Sequence, residues 1–404
     1  MSLIPSEQAW RRWIGWAAFG ASTANFVSIA LAHSILGAGI LLLLLRPKSV
    51  RAPHIAWPIL ALVAWTLLAT AASDAPSAAL PQIKKFFVLA MLPLAYTAFR
   101  GLEQCRRAAE AWIVVVSASC LVAVGQFANS AAAVGSLGAE FYGAYVDDRI
   151  TGFQSHWMTF SQSSILVLAV LGGWLLFGRR RPGRAVWAAA GGVVCLALLL
   201  SFTRSVWLAV VACGLYALAV LRPRALPLVP VALVVAYLAA PDALQQRVRS
   251  IRPEANQARI VMWRTGLNMI AERPLTGVGP ERAGPLFSEY QPKDIEELPP
   301  GFYGHLHNVF VHFAAERGIP AALIVLWLFA QVLWDMRAGL RRIPPVPGDR
   351  RFLMHAGGMA TLAMGVLSCF DVSLGDSEVL AAYLAVVAIA YRGLEATPAA
   401  PALR

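Results

Sequence analysis

Apolar stretches of roughly 17–25 residues recur from one end of the chain to the other, each long enough to cross a hydrocarbon core of about 30 Å as an α-helix. Few folds accept such a pattern, because a backbone in lipid must satisfy its own hydrogen bonds. The residue balance argues against a soluble body. Of 404 residues, 58% are hydrophobic and 14% charged, and the mean hydropathy is +0.61, whereas about a quarter of a soluble domain is charged. The expectation is an all-α integral membrane protein of about twelve transmembrane helices, one polytopic domain over residues 1–404. The expected spans are Trp10–Val27, Ser28–Leu45, Ile55–Ala72, Phe86–Phe99, Ala108–Phe127, Met158–Phe177, Ala185–Phe202, Ser205–Leu221, Leu226–Ala240, Ile319–Met336, Phe352–Phe370 and Val379–Tyr391. Residues 10–45 read either as two short spans split near Ser28 or as one long tilted helix.

A formal charge of +12 raises the question of nucleic acid, but the placement of the cations points to membrane topology. With both termini in the cytoplasm, 21 of the 34 lysines and arginines fall in inner segments, and only Lys84, Lys85, Arg149 and Arg204 fall in short outer loops. The remaining nine lie in one long loop, which the positive-inside rule exempts. No nucleic-acid partner is expected. The five cysteines lie in or beside apolar segments without metal-ligand spacing, so no disulfide scaffold is expected. The first residues carry two arginines and no small-residue cleavage site, and read as the first anchored span.

This topology puts residues 241–318 outside, between the ninth and tenth spans, as a helical cap over the outer mouth of the bundle. Within it, Ala255–Arg273 has Ile260, Trp263, Leu267 and Ile270 at helical spacing, and Pro274 stops that helix. Pro274–Pro280 supplies turn chemistry, and Gly301–Glu316 reads as a short helix leading into the next span.

Three elements carry residues capable of chemistry. In Ser201-Phe-Thr-Arg204-Ser-Val-Trp207 an arginine sits between two apolar runs. It is either a snorkelling anchor for a helix end or a phosphate ligand, a role its fixed fork of donors suits. In Arg259-Ile-Val-Met-Trp263-Arg264, Arg259 and Trp263 share a helical face at i, i+4; alone, such arginines are equally readable as solvated or headgroup-facing charge. In Gly304-His305-Leu-His307-Asn308-Val-Phe-Val-His312, His305 and His312 lie two turns apart on one face while His307 points elsewhere. No Cys, Asp or Glu is placed to complete a zinc set, so metal is not expected. His307, beside Asn308 at the membrane rim, is a candidate general base, since histidine titrates nearest neutrality. Asp147-Asp148 reads as loop, and Phe141, Tyr142, Tyr145, Phe153 and Trp157 as either a sugar-stacking surface or an interfacial aromatic belt.

Taken together, these residues resemble the O-antigen ligase and O-antigen polymerase superfamily of integral-membrane GT-C-type glycosyltransferases. Ser201–Arg204 matches the arginine that the family carries at the outer end of a middle helix. Arg259, Trp263 and Pro274–Gly279 match its Arg-x-x-x-Trp helix running into a Pro-Leu-x-Gly-x-Gly turn. His307-Asn308, nine residues and Gly318 match the ligase motif His-[Asn/Ser/Gln/Thr], nine residues, Gly-x-x-Gly, except that Ala321 stands at the last glycine. The likeness runs from about Arg149 to the twelfth span, and the first third matches in hydropathy only.

The resemblance implies transfer of a glycan from an undecaprenyl-diphosphate-linked donor to the lipid A-core acceptor, at the periplasmic face of the bacterial inner membrane, among membrane lipids and without cofactor or metal. Arg204 and Arg259 would hold the diphosphate and His307 would be the base. Arg149, Arg264, Arg282, Asn308 and Trp263 are further candidates for substrate contact. A polymerase or a protein O-oligosaccharyltransferase of the same superfamily would share this chemistry with another acceptor. A polysaccharide-lipid transporter or flippase is the reading from a different class, and would need charges near the bilayer midplane.

Overall fold

A computed structural model describes residues 5–134, 139–146, 148–180, 182–249 and 256–395, without the side chains of Ala139, Glu140 and Tyr142. Helices occur throughout these residues, and no strand occurs among them. The first are α1 (Glu7–Ala24), α2 (Ile29–Leu45), α3 (Ala56–Ala71), α4 (Leu80–Lys85), α5 (Met91–Ala98), α6 (Leu102–Val134) and α7 (Ala139–Tyr145). Then come α8 (Trp157–Phe177), α9 (Arg184–Leu200), α10 (Arg204–Leu221), α11 (Val229–Leu238), α12 (Asp242–Arg249) and α13 (Gln257–Glu272). The chain ends with α14 (Phe287–Tyr290), α15 (Val309–Arg317), α16 (Ile319–Arg341), α17 (Asp349–Ser368) and α18 (Ser377–Glu395).

Helix stands at each of the twelve places where a span is expected, with shifted ends. The fourth is a longer run, Pro76–Ala98, in which 3₁₀ turns join α4 and α5. Among the described residues, six runs are both long and apolar enough to cross a membrane: Pro76–Ala98, α6, α8, α10, α16 and α18. Ile29–Leu45, Ala56–Ala71, Arg184–Leu200 and Pro223–Leu238 are apolar but shorter. The remaining two, α1 and α17, carry Glu7, Arg11 and Arg12, and Asp349, Arg350 and Arg351, in their opening turns. Residues 10–45 form two helices that pack on each other; the Ser28 hydroxyl accepts from Leu31 N–H and starts the second. Large apolar side chains, among them Trp16, Leu44, Trp57, Val186 and Trp334, face outward with more than three-fifths of their surface uncovered, an exterior suited to lipid.

The centre of the bundle is α8, α17 and α18, and α8 packs most extensively on α17. In the most apolar stretch of both α8 and α18, 78% of residues are buried. Polar side chains of α8 reach the loop that follows α17: Gln162 donates to Asp371 at 2.7 Å and Thr159 to Asp376 at 2.6 Å. That loop is thereby fixed at one end of the bundle.

The segment between α11 and α16 has an apolar core of its own, with Val261, Met262 and Met269 of α13 against Val278, Ala283, Phe287, Leu306 and Ala315. The amphipathic helix is present as α13, although its expected first residue, Ala255, lies outside the described residues. The helix expected over Gly301–Glu316 is shorter and begins at Val309. Asn308 accounts for this: its side-chain oxygen accepts from the N–H groups of Phe310 and Val311 and caps the helix there.

Candidate active site

The glycine turn and the end of α15 interlock. Val278 N–H donates to Ala315 O and Gly279 N–H to Glu316 O, both at 2.9 Å, while Ile319 N–H reaches Pro274 O at 2.8 Å. Gly277 and Gly318 sit at φ +66° and +82°. A Cβ on Gly318 would come 1.9 Å from Leu275 O, and one on Gly277 would come 2.3 Å from the Glu316 carbonyl carbon, so neither site accepts a side chain. Two motifs far apart in the sequence are thus halves of one joint. It fixes the end of α15, the helix whose first turn follows His307 and the Asn308 cap.

His307 precedes the Asn308 cap in left-handed backbone, φ +46°, a conformation that is costly for a side chain this size and clusters at functional sites. Its Nδ1 lies 3.4 Å from Asp371 Oδ1. Asn308 ties the same two segments together, donating to Cys369 O at 3.0 Å. Its oxygen caps α15, so both ends of this expected substrate contact are engaged by the protein itself. Burial raises the Asp371 carboxyl, but the adjoining His307 imidazole, with His305 and Gln162, outweighs it and leaves the group below the usual carboxylate range. The His305 ring centre is 4.1 Å from that of His307; burial, then the charge of His307, pulls His305 below the ordinary histidine value. Burial likewise holds His312 down to about 3. The one-face pairing of His305 and His312 is corrected, because only His312 is helical, although their rings remain 6.5 Å apart.

Arg204, Asn256, Arg259 and Trp263 line one cavity of about 180 Å³, with Phe370, the neighbour of Asp371, on its wall. Arg204 Nη2 donates to Asn256 Oδ1 at 3.1 Å. Burial lowers the Arg259 guanidinium, Asp371 opposes this, and Arg247 adds to it. Phe202 is buried and in left-handed backbone at φ +53°. Its carbonyl accepts from Arg247 at 2.8 Å and Arg149 at 3.4 Å, and Arg149 stacks over Trp157, 4.5 Å from the ring centre. Four arginines therefore gather at this end of the bundle, and α13 presents Arg259 and Trp263 to the same space as the i, i+4 spacing requires.

Other expected residues lie apart from this group. Arg264 is exposed and forms a bidentate pair with Asp294 at 2.7 and 2.8 Å. Arg282 lies in the turn, where its backbone N–H, with those of Glu281 and Ala283, holds the Glu316 carboxylate. Phe141 and Tyr145 stack at 4.9 Å, and Tyr145 reaches Phe202 edge-on and donates to Leu200 O at 2.7 Å. They brace the turn ahead of Arg204, whereas Phe153 is 40% exposed. The side chain of Tyr142 and all of Asp147 lie outside the described residues.

Sequence order hid two members of the site. Asp371 follows α17 and Arg247 lies in the last turn of α12, in neither case within a motif; only an acidic residue between apolar runs hinted at the first. Asp371 also corrects the reading that no carboxylate is placed to complete a metal set, since ligand atoms of His305, His307 and Asp371 all lie within 4.8 Å of one another. The Arg259 charge acts on both His305 and Asp371.

A family model described as O-antigen ligase matches residues 189–326. That stretch holds Arg204, Arg259, His307 and the interlocked glycine turns. No curated protein matches the chain.

Proposed function

We propose that this chain, a member of the O-antigen ligase superfamily by its residues 189–326, transfers a polyprenyl-diphosphate-linked glycan to the lipid A-core oligosaccharide at the periplasmic face of the inner membrane. The observation that carries the reading is the meeting of Arg204 and Arg259 on one cavity, next to the His307–Asp371 pair. A lipid-linked diphosphate is already activated. Catalysis needs positive charge where the leaving group departs and a base where the acceptor attacks.

In this mechanism the acceptor hydroxyl oxygen bonds to the anomeric carbon as the bond from that carbon to the diphosphate oxygen breaks. The electron pair leaves with the diphosphate, whose charge Arg204 and Arg259 receive, with Arg149 and Arg247 behind them. The hydroxyl proton passes to Nε2 of His307, because Nδ1 faces Asp371. Asp371 then stabilises the imidazolium, as the carboxylate of a catalytic triad does. Attack opposite the diphosphate inverts the carbon.

The test is transfer between purified lipid-linked glycan and lipid A-core by the reconstituted protein. His307→Ala is expected to lower the rate by about 100-fold or more, and Arg204→Ala and Arg259→Ala each by about 100-fold. Chelator should leave the parent rate unchanged. Folded variants of all three residues working at the parent rate would overturn the reading. Lipid-linked repeat units or a protein offered as acceptor separate a ligase from a polymerase or protein-glycosylating enzyme.

A further inference from the structure

Arg317 closes α15 with 2% of its surface exposed, and its Nε and Nη1 have no hydrogen-bond partner among the described residues. Its acidic neighbour does not satisfy it: Nη2 lies 3.6 Å from Glu316 Oε2, and the Glu316 carboxylate is already held by backbone N–H groups of the glycine turn. The guanidinium lies over the Phe313 ring at 4.1 Å, and Trp65 holds the backbone carbonyl at 2.8 Å. A buried fork of donors fixed in place without acceptors is costly to maintain, which suggests a role in holding an anion.

The surroundings indicate what kind. Arg317 and Lys85 stand where two cavities meet and line both. One, of about 460 Å³, has polar side chains in its wall, among them His305, Asp371, Glu281 and Asp376. The other, of about 60 Å³, is an apolar crevice between α3, α16 and α18, walled by Leu62, Leu89, Leu328 and Leu384. An apolar slot with two cations at its mouth and polar space beyond matches a lipid chain, its phosphate and its sugar headgroup, in that order.

We propose that Arg317 and Lys85 form a second lipid-phosphate site, separate from the Arg204–Arg259 cavity, which seats an acyl-chain lipid phosphate with its headgroup directed at the His307–Asp371 pair. That this lipid is the acceptor rests on the glycosyl-transfer reading; the binding itself does not. The two substrates then reach the base from different cavities.

The experiment is photolabelling of the full chain in lipid nanodiscs, read by mass spectrometry of the labelled peptides. The probes are phosphatidic acid with a diazirine in its acyl chain, the matching diacylglycerol, and a diazirine-tailed prenyl phosphate. Phosphatidic acid should label α3 and α18 around Leu62 and Leu384, at least tenfold above diacylglycerol. Arg317→Gln should cut this at least tenfold and Arg317→Lys only a fewfold. Lys85→Gln, at an exposed position that leaves packing intact, should cut it severalfold. Labelling does not depend on turnover, so it remains readable if no glycan is transferred. Equal labelling by diacylglycerol, or labelling indifferent to Lys85→Gln and Arg317→Lys, would overturn the site. Preferential labelling by the prenyl phosphate would overturn its assignment to an acyl-chain lipid.

Discussion

Three residues other than glycine adopt left-handed backbone among those described, Phe202, Glu281 and His307, and each has a part in the site. Phe202 turns its carbonyl to two arginines, Glu281 offers its N–H to the Glu316 carboxylate, and His307 meets Asp371. Such strain persists only where surroundings over-determine it. In the proposed mechanism Asp371→Asn keeps the shape but removes the charge that stabilises a protonated base, so transfer should fall about 100-fold with little change in substrate KM. Arg264→Ala, which breaks an exposed pair with Asp294, should leave transfer within about twofold of the parent, since such pairs contribute little. His312 tests the electrostatics of α15. Its folded value, about 3, lies below the unfolded histidine value near 6.5, so the folded state resists taking up a proton. Stability should fall by about 1.4 kcal/mol per pH unit below about pH 6.5, and thermal melts of His312→Gln should show less of that loss. The sequence singled out Arg204, Arg259 and His307 as candidates because each lies in a short local pattern. Asp371, Arg247 and Arg317 were not legible, since burial and partnership across the fold give them meaning.

At the scale of elements, the joint between the Pro274–Gly279 turn and the end of α15 sets the register of the site. Both halves were visible as motifs; their docking was not, because backbone hydrogen bonds across 40 residues leave no periodicity to read. Gly318→Ala forces a side chain into left-handed backbone and against Leu275 O, and should cost about 3 kcal/mol or more, seen as a lower melting temperature and lost transfer. Ala321→Gly, which restores the glycine usual in the ligase motif, exchanges a buried alanine within the first turn of α16. It should cost about 1 kcal/mol and leave the rate intact. The helix expected to begin at Gly301 is shorter because the Asn308 side chain caps it at Val309.

For the molecule as a whole, hydropathy located all twelve helical segments, because the cost of bare backbone in lipid leaves little choice of structure. It did not reveal that α8, α17 and α18 form the centre, since lipid-facing and buried helices are equally apolar. From the cation distribution we propose that residues 241–318 are periplasmic and both termini cytoplasmic. Alkaline phosphatase fused after Lys293 should accordingly be active and after Arg342 inactive; the reverse pattern would invert the topology. The most direct test is an experimental structure of the protein with a bound polyprenyl diphosphate. The diphosphate should lie within hydrogen-bond distance of Arg204 and Arg259, with its glycosyl end facing His307. A diphosphate bound elsewhere, with the Arg204–Arg259 cavity shut off from it, would contradict the account.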